Sequence, residues 1–225
     1  MQAPVRIGAR ASKLSQTQTR WVQARVCAAL GAPPEAADEV APLVLITTTG
    51  DRVQDRRLLK IGGKQLFTKE IEEALLDGRV DLAVHSMKDV PAEQPPGLAI
   101  AAIPEREDPR DAFVSRNHKS FADLPQGARL GTASLRRQAQ ALAVRPDLSI
   151  VMLRGNVDTR LRKLEEGECD AILLALSGLR RLDLEHVVAD RLDPIAAPPA
   201  PGQGALAIQS READAGAAWL KRLHH

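Results

Sequence analysis

The chain has 225 residues, with 31 Lys and Arg against 29 Asp and Glu and a formal charge of +2. Any basic character that matters is therefore local, which argues against a general nucleic-acid binder. Aromatic residues make up 2% and tyrosine is absent, so no stacking platform for bases exists and the cores must be built from Leu, Val, Ile and Ala.

Strand-like and helix-like segments alternate, the pattern of an α/β fold with largely parallel sheets. Val5 to Gly8 reads as a strand and Leu14 to Leu30 as a helix with Trp21, Val22, Val26, Ala29 and Leu30 on one broad apolar face. Val40 to Thr47 is the next strand. Leu66 to Leu76 reads as a helix, with Phe67, Ile71 and Leu75 at i, i+4, i+8 and Gly78 placed to stop it. A strand from Val80 to His85 then runs into Ser86-Met87-Lys88-Asp89-Val90-Pro91. Leu98 to Ile103 is strand-like, and the charged, proline-bearing run from Pro104 to Arg110 reads as a crossing into a second unit.

That unit holds strands at Ala112 to Val114, Ala128 to Gly131, Ser149 to Leu153 and Ala171 to Leu176, with helices near Leu135 to Val144 and Val157 to Glu166. Pro194 to Gly204 is too rich in proline and glycine for regular structure, and the strand-like Ala205 to Gln209 follows. The expected organisation is a discontinuous first domain, residues 1–104 plus 205–225, carrying the reacting carboxylate, and an arginine-rich second domain, residues 105–204. A cleft between two α/β lobes is the expected binding place. No internal repeat at a fixed period is visible. Cys27 and Cys169 lack CxxC spacing, so no metal site or disulfide is expected, and they read as buried small hydrophobes. With no apolar segment long enough to span a bilayer, a soluble cytoplasmic protein is expected.

A strand that stops on Lys88-Asp89 presents a fixed carboxylate at its carboxyl end, where open α/β sheets bind ligands. Asp89 is the first candidate for the reacting group, although a carboxylate before Val-Pro also commonly caps a turn. Asp51 is the weaker carboxylate candidate, and His85, with no metal-ligand spacing nearby, reads as structural or hydrogen-bonding. Ser134, Arg136 and Arg137 stand where a helix begins, joining orphan backbone donors to guanidinium groups matched to carboxylate or phosphate. The alternative is a solvated basic helix face capped by Ser134. Arg154-Gly155-Asn156 and Arg160 repeat the arrangement, with Asn156 as N-cap and Arg160 set against the helix dipole. Arg10 and Ser12 follow the first strand in the same way. Lys60 and Lys64 flank Gly62-Gly63, without the spacing of a P-loop. One placed carboxylate among many guanidinium groups suits chemistry on a cationic centre in an otherwise anionic substrate.

Several stretches together resemble one family, porphobilinogen deaminase, also called hydroxymethylbilane synthase. They are Val84-His85-Ser86-Met87-Lys88-Asp89-Val90-Pro91, the run from Glu105 to Phe113, Ser134-Leu135-Arg136-Arg137-Gln138, Leu153-Arg154-Gly155-Asn156-Val157 and Gly202-Gln203-Gly204-Ala205. The resemblance runs from Arg6 to His225. It implies two domains like those of periplasmic binding proteins and a transferase that joins porphobilinogen units head to tail into a linear tetrapyrrole, releasing ammonia at each step. It also implies a monomer working on porphobilinogen and the growing pyrrole chain, with no nucleic acid, membrane or metal. Asp89 and Lys88 would be catalytic, Asp89 stabilising the cationic azafulvene formed when ammonia leaves. A dipyrromethane cofactor would be held by Lys88, Asp89, Ser134, Arg136, Arg137, Arg154 and Arg160. Substrate carboxylates would meet Arg10, Ser12, Lys60, Lys64, Arg154, Arg160, Arg181 and Gln203, the last as a hinge or site contact.

The family carries this cofactor on a cysteine of a third domain, which the present sequence does not reach. Neither Cys27 nor Cys169 matches the anchoring position, so a truncated chain is expected. Ala133 and Gln209 stand where many members carry serine and glutamate. The alternative is a non-catalytic binding module for porphobilinogen or another polycarboxylate.

Overall fold

A computed structural model describes residues 3–49 and 68–225; the expectations for Asp51, Lys60, Lys64, Leu66 and Phe67 lie outside them. In chain order the elements are β1 (Ile7–Arg10), α1 (Lys13–Ala29), α2 (Ala37–Val40), β2 (Leu43–Ile46), α3 (Lys69–Leu76), β3 (Leu82–Ser86), β4 (Leu98–Ala102), β5 (Asp111–Ser115), β6 (Arg129–Gly131), α4 (Leu135–Val144), β7 (Ser149–Val151), α5 (Val157–Glu165), β8 (Ala171–Ala175), α6 (Leu176–Arg181), β9 (Asp190–Arg191), β10 (Leu206–Arg211) and α7 (Ala218–Lys221). Two compact units result, Met1–Arg106 with Ala205–His225 and Glu107–Gly204.

The first unit is a five-stranded sheet in the order β2-β1-β3-β10-β4. Strands β2, β1 and β3 are parallel, and β10 runs antiparallel between β3 and β4. Strand side chains alternate between faces. Ile7, Leu82, Val84, Leu206 and Ile208 therefore pack with Val22, Val26 and Cys27 of α1 and Leu220 of α7, while Ala83 shares the other face with Ile71, Ala74 and Leu75 of α3. Burial on both faces explains why β3 reads as a near-continuous apolar run. Each large aliphatic side chain removed from water contributes roughly 1.5–3 kcal/mol.

The second unit repeats this plan. Its order is β7-β6-β8-β5-β9, with β7, β6 and β8 parallel and β5 antiparallel beside β8. Ile172 and Leu174 of β8 pack with Leu164 of α5 and Leu176 and Leu179 of α6, and Leu173 packs on the opposite face with Phe113, Leu130 and Ala141. Gly131 ends β6 because a Cβ there would lie 2.8 Å from Cys169 Sγ and 3.0 Å from Leu153 and Ile172.

The likeness extends to ion pairs at the amino ends of the strands. Arg6 pairs through its amide and guanidinium with Asp81 at 2.9 Å, and Arg129 pairs with Asp170 in the same way, its amide at 2.7 Å. Burial raises the Asp81 carboxyl, but hydrogen bonds from Arg6 and Arg211 outweigh it and hold it below the usual carboxylate range. The repetition is of topology and clamp. It has no constant sequence period, since Arg6 and Arg129 are separated by a different interval from Asp81 and Asp170, which is why the sequence hid it.

Candidate active site

In each sheet the central parallel strand, β1 or β6, lies between the next two parallel strands. This is the switch point at whose carboxyl end open α/β sheets bind ligands. In the first unit that end carries Arg10 and Ser12 after β1 and Lys88 and Asp89 after β3. Ser12 caps α1, accepting from the Ser15 amide at 3.3 Å, and Ser15 Oγ accepts from the Arg10 amide at 3.1 Å. Gln18 on α1 donates to Ser86 Oγ at 3.2 Å, tying the helix to the end of β3. Met87–Asp89 then forms one 3-10 turn, closed by Val90 N–H on Met87 C=O at 3.1 Å and anchored by Met87 N–H on Ala205 C=O at 3.0 Å. Lys88 and Asp89 are half-buried on a turn closed on itself and anchored at its start.

Behind this turn His85 is buried, with Nε2 3.0 Å from Gln209 Oε1. The Gln209 amide nitrogen donates to Gln94 Oε1 at 2.9 Å and Glu72 Oε1 at 3.5 Å, so its oxygen faces the histidine and selects the tautomer protonated at Nε2. Burial pushes the imidazole down to about 4, Gln209 opposing the fall and the charge of Arg10 adding to it. His85 is thus a neutral hydrogen-bonding residue, the role its surroundings in sequence suggest.

The corresponding end of the second unit carries Thr132, Ser134, Arg136 and Arg137. Ser134 caps α4, accepting from the Arg137 amide at 3.4 Å, and its own amide donates to Thr132 Oγ1 at 3.2 Å. Beneath the helix start lies Asp111. Its side chain is 0% exposed, with Arg137 Nη2 2.8 Å from Oδ1 and Arg136 Nη1 2.8 Å from Oδ2. Gln203 Nε2 also donates to Oδ1 at 2.8 Å and to Pro109 C=O at 2.6 Å. Burial alone would raise the Asp111 carboxyl; the charge and hydrogen bond of Arg137, with Arg136 and Gln203, bring it down to about 2. Arg137 Nη1 donates to Leu173 C=O at 2.9 Å. Sequence reasoning assigned no role to Asp111, although an aspartate opening the apolar run Ala112-Phe113-Val114 is the signal of a paired buried charge.

Arg154 follows β7, and Asn156 holds the cap position of α5 in extended conformation without a side-chain capping bond. Arg160 folds back to donate Nε to Gly155 C=O at 2.8 Å, meeting a carbonyl where the helix dipole alone would repel it. Arg181, at the end of α6, donates to Gly204 C=O at 2.7 Å; burial lowers its pKa, with Glu107 opposing. The structure thus brings Arg136, Arg137 and Gln203 together around Asp111, with Ser134 capping the helix that carries the two arginines. Arg10, Ser12, Lys88 and Asp89 belong to the other unit. Cys27 and Cys169 are buried free thiols whose pKa burial raises, with Asp38 adding to Cys27.

Two guanidinium nitrogens, Arg137 Nε and Arg154 Nη1, are buried without a hydrogen-bond partner among the described residues. An unpaired buried donor is costly, and a ligand carboxylate would satisfy it. The donor set therefore fits a pyrrole bearing carboxylate side chains.

The family described as porphobilinogen deaminase, dipyromethane cofactor binding domain, matches residues 5–218. A porphobilinogen deaminase of Caulobacter vibrioides is 69% identical over 224 residues, 98% of this chain and 70% of that protein. One from Phenylobacterium zucineum is 68% identical over 225 residues, 99% of this chain and 70% of that protein. Among solved structures, a nutrient binding protein from Burkholderia cenocepacia bound to methionine superimposes with TM-score 0.57 at 16% identity, covering 97% of this chain and 89% of that one. Immunogenic lipoprotein A from Vibrio vulnificus gives 0.55 at 15% identity, covering 97% and 92%. At such identities the likeness is one of fold, the two-domain α/β architecture of periplasmic binding proteins.

Proposed function

Because the chain belongs to the porphobilinogen deaminase family, we propose that it deaminates porphobilinogen and joins the units head to tail into linear hydroxymethylbilane, with Asp89 as the reacting carboxylate. It is a transferase of tetrapyrrole biosynthesis. The observation that carries the residue assignment is the chemistry of the two sheet ends: a carboxylate on a pinned turn after β3, and arginines with unsatisfied buried donors after β6 and β7.

Loss of ammonia from the aminomethyl group leaves an electron-poor azafulvene that is cationic at its pyrrole nitrogen. The Asp89 carboxylate offsets that charge and, once the free α-carbon of the neighbouring ring has bonded to the exocyclic methylene, accepts the proton that carbon gives up, while Lys88 on the same turn supplies a cation to a ring carboxylate. Proton transfer by a positioned group typically contributes roughly 10² to 10⁴ in rate, and a carboxylate carried on an anchored turn where charge develops needs little reorganisation. Dipyrromethane, when bound, supplies the primer on which the chain grows. Ser134, Arg136, Arg137, Arg154 and Arg160 would hold its carboxylates and those of the porphobilinogen units added to it, with Arg154 Nη1 and Arg137 Nε the donors still lacking acceptors. Arg10, Ser12 and Arg181 hold those of the incoming or growing chain, together with Lys60 and Lys64. Gln203 serves this site through Asp111. A cytoplasmic monomer belongs to the same reading; no helix among the described residues is long and apolar enough to cross a membrane.

The test uses the protein expressed from its whole gene, supplied with porphobilinogen, with ammonia and linear tetrapyrrole as readouts. Each charge-assisted bond contributes about 1.5–3 kcal/mol, so Arg154→Ala should weaken porphobilinogen use at least about tenfold in kcat/KM. Binding of porphobilinogen without ammonia release in the wild type would instead favour a binding module.

A further inference from the structure

We propose that Asp111 is a positioning residue for the carboxylate-binding end of the second unit, acting through Arg136; the inference rests on the reading that Arg136 meets ligand carboxylates. An arginine in the first turn of a helix has a long, rotamer-rich side chain, and bidentate recognition demands one orientation of its planar fork. Asp111 supplies that orientation from inside the fold. Its Oδ1 takes Arg137 Nη2 and Gln203 Nε2, each at 2.8 Å, and its Oδ2 faces Arg136 Nη1 at 2.8 Å. Gln140 Oε1 at 3.0 Å and Pro198 C=O at 2.8 Å fall on the same Arg136 nitrogen. All these contacts therefore anchor Nη1, and the Nε–Nη2 edge has no partner among the described residues. The side chain of Arg136 is 23% exposed, against 7% for Arg137. The two arginines thus differ in kind. Arg137 gives both its Nη nitrogens to the fold and keeps only Nε, whereas Arg136 keeps a whole bidentate edge for a carboxylate, and the buried carboxylate between them sets where that edge points.

The test is a double-mutant cycle in the protein expressed from its whole gene, with equilibrium binding of porphobilinogen measured by calorimetry in an Asp89→Asn background that suppresses turnover. Arg136→Ala should raise the dissociation constant about tenfold, the loss of one charge-assisted pair. Asp111→Asn should raise it about fivefold when Arg136 is present and less than about twofold when Arg136 is already alanine, because positioning acts only through the residue positioned. A merely structural aspartate would give the same factor in both backgrounds, and that result overturns the proposal, as does no effect of Asp111→Asn. If Asp111→Asn does not fold, Gln203→Met retains both ion pairs while removing the amide that fixes the carboxylate. It should raise the constant about threefold, again only with Arg136 present, and an unchanged constant overturns the proposal. An Arg136→Ala variant that binds normally would instead refute the carboxylate reading of Arg136 itself.

Discussion

Replacing His85 with glutamine should remove a specific pH dependence of stability. The imidazole is buried against Gln209, with Glu72 and Gln94 beyond it and the charge of Arg10 nearby, and its pKa lies at about 4 in the folded protein against an ordinary 6.5. The unfolded chain therefore binds the proton more tightly, so stability is complete above the unfolded value and falls as pH drops toward the folded one. The full difference corresponds to about 3 kcal/mol, of which about 2 kcal/mol is lost between pH 7 and pH 5. Both tryptophans, Trp21 and Trp219, lie in the same unit as His85, so their fluorescence in urea reports the relevant unfolding. With a slope of about 2 kcal/mol/M the midpoint should fall by about 1 M from pH 7 to pH 5 in the wild type. His85→Gln retains a donor for Gln209 and cannot ionise, so most of that shift should vanish. An equal shift in both proteins would refute the burial argument.

Arg137→Met should destabilise the second unit by about 3–5 kcal/mol, because it leaves the fully buried Asp111 without its most buried counter-charge; thermal unfolding by circular dichroism that changes by less than about 1 kcal/mol would show that this pair does not support the fold. Gly204→Ala should be comparably disruptive, by at least about 2 kcal/mol. Gly204 has φ +92°, and a Cβ there would lie 2.2 Å from the Glu107 carbonyl oxygen, so a melting temperature unchanged from wild type would contradict the close approach of these two segments.

Much of the architecture was legible because both faces of each sheet are buried and near-continuous apolar runs mark the strands. Helix α4 begins and ends where its pattern predicts, with Ser134 as the capping residue. What escaped were features decided by tertiary pairing. Helix α1 buries Gln18, Thr19 and Gln23, polar residues that an apolar-face count sends to solvent, because Ser86, the Ser15 carbonyl, and Asp38 with the Ala37 and Ala41 carbonyls await them. Helix α6 follows β8 without a loop, and its short Leu-Ser-Gly-Leu start carries no helical signal. At the site, the capping serines and sheet-end basic residues were recognisable by type and position. For Asp111 the apolar run that follows it signals only a paired buried charge; its partners come from helix α4 and the returning segment at Gln203, far away in sequence.

The most direct test of the central claim is single-turnover ammonia release from porphobilinogen by the protein expressed from its whole gene, wild type against Asp89→Asn. Asparagine keeps the size of the side chain and removes its charge and basicity. Release should slow by at least about 10²-fold while porphobilinogen still binds and the melting temperature holds. Release at the wild-type rate would remove Asp89 from the chemistry.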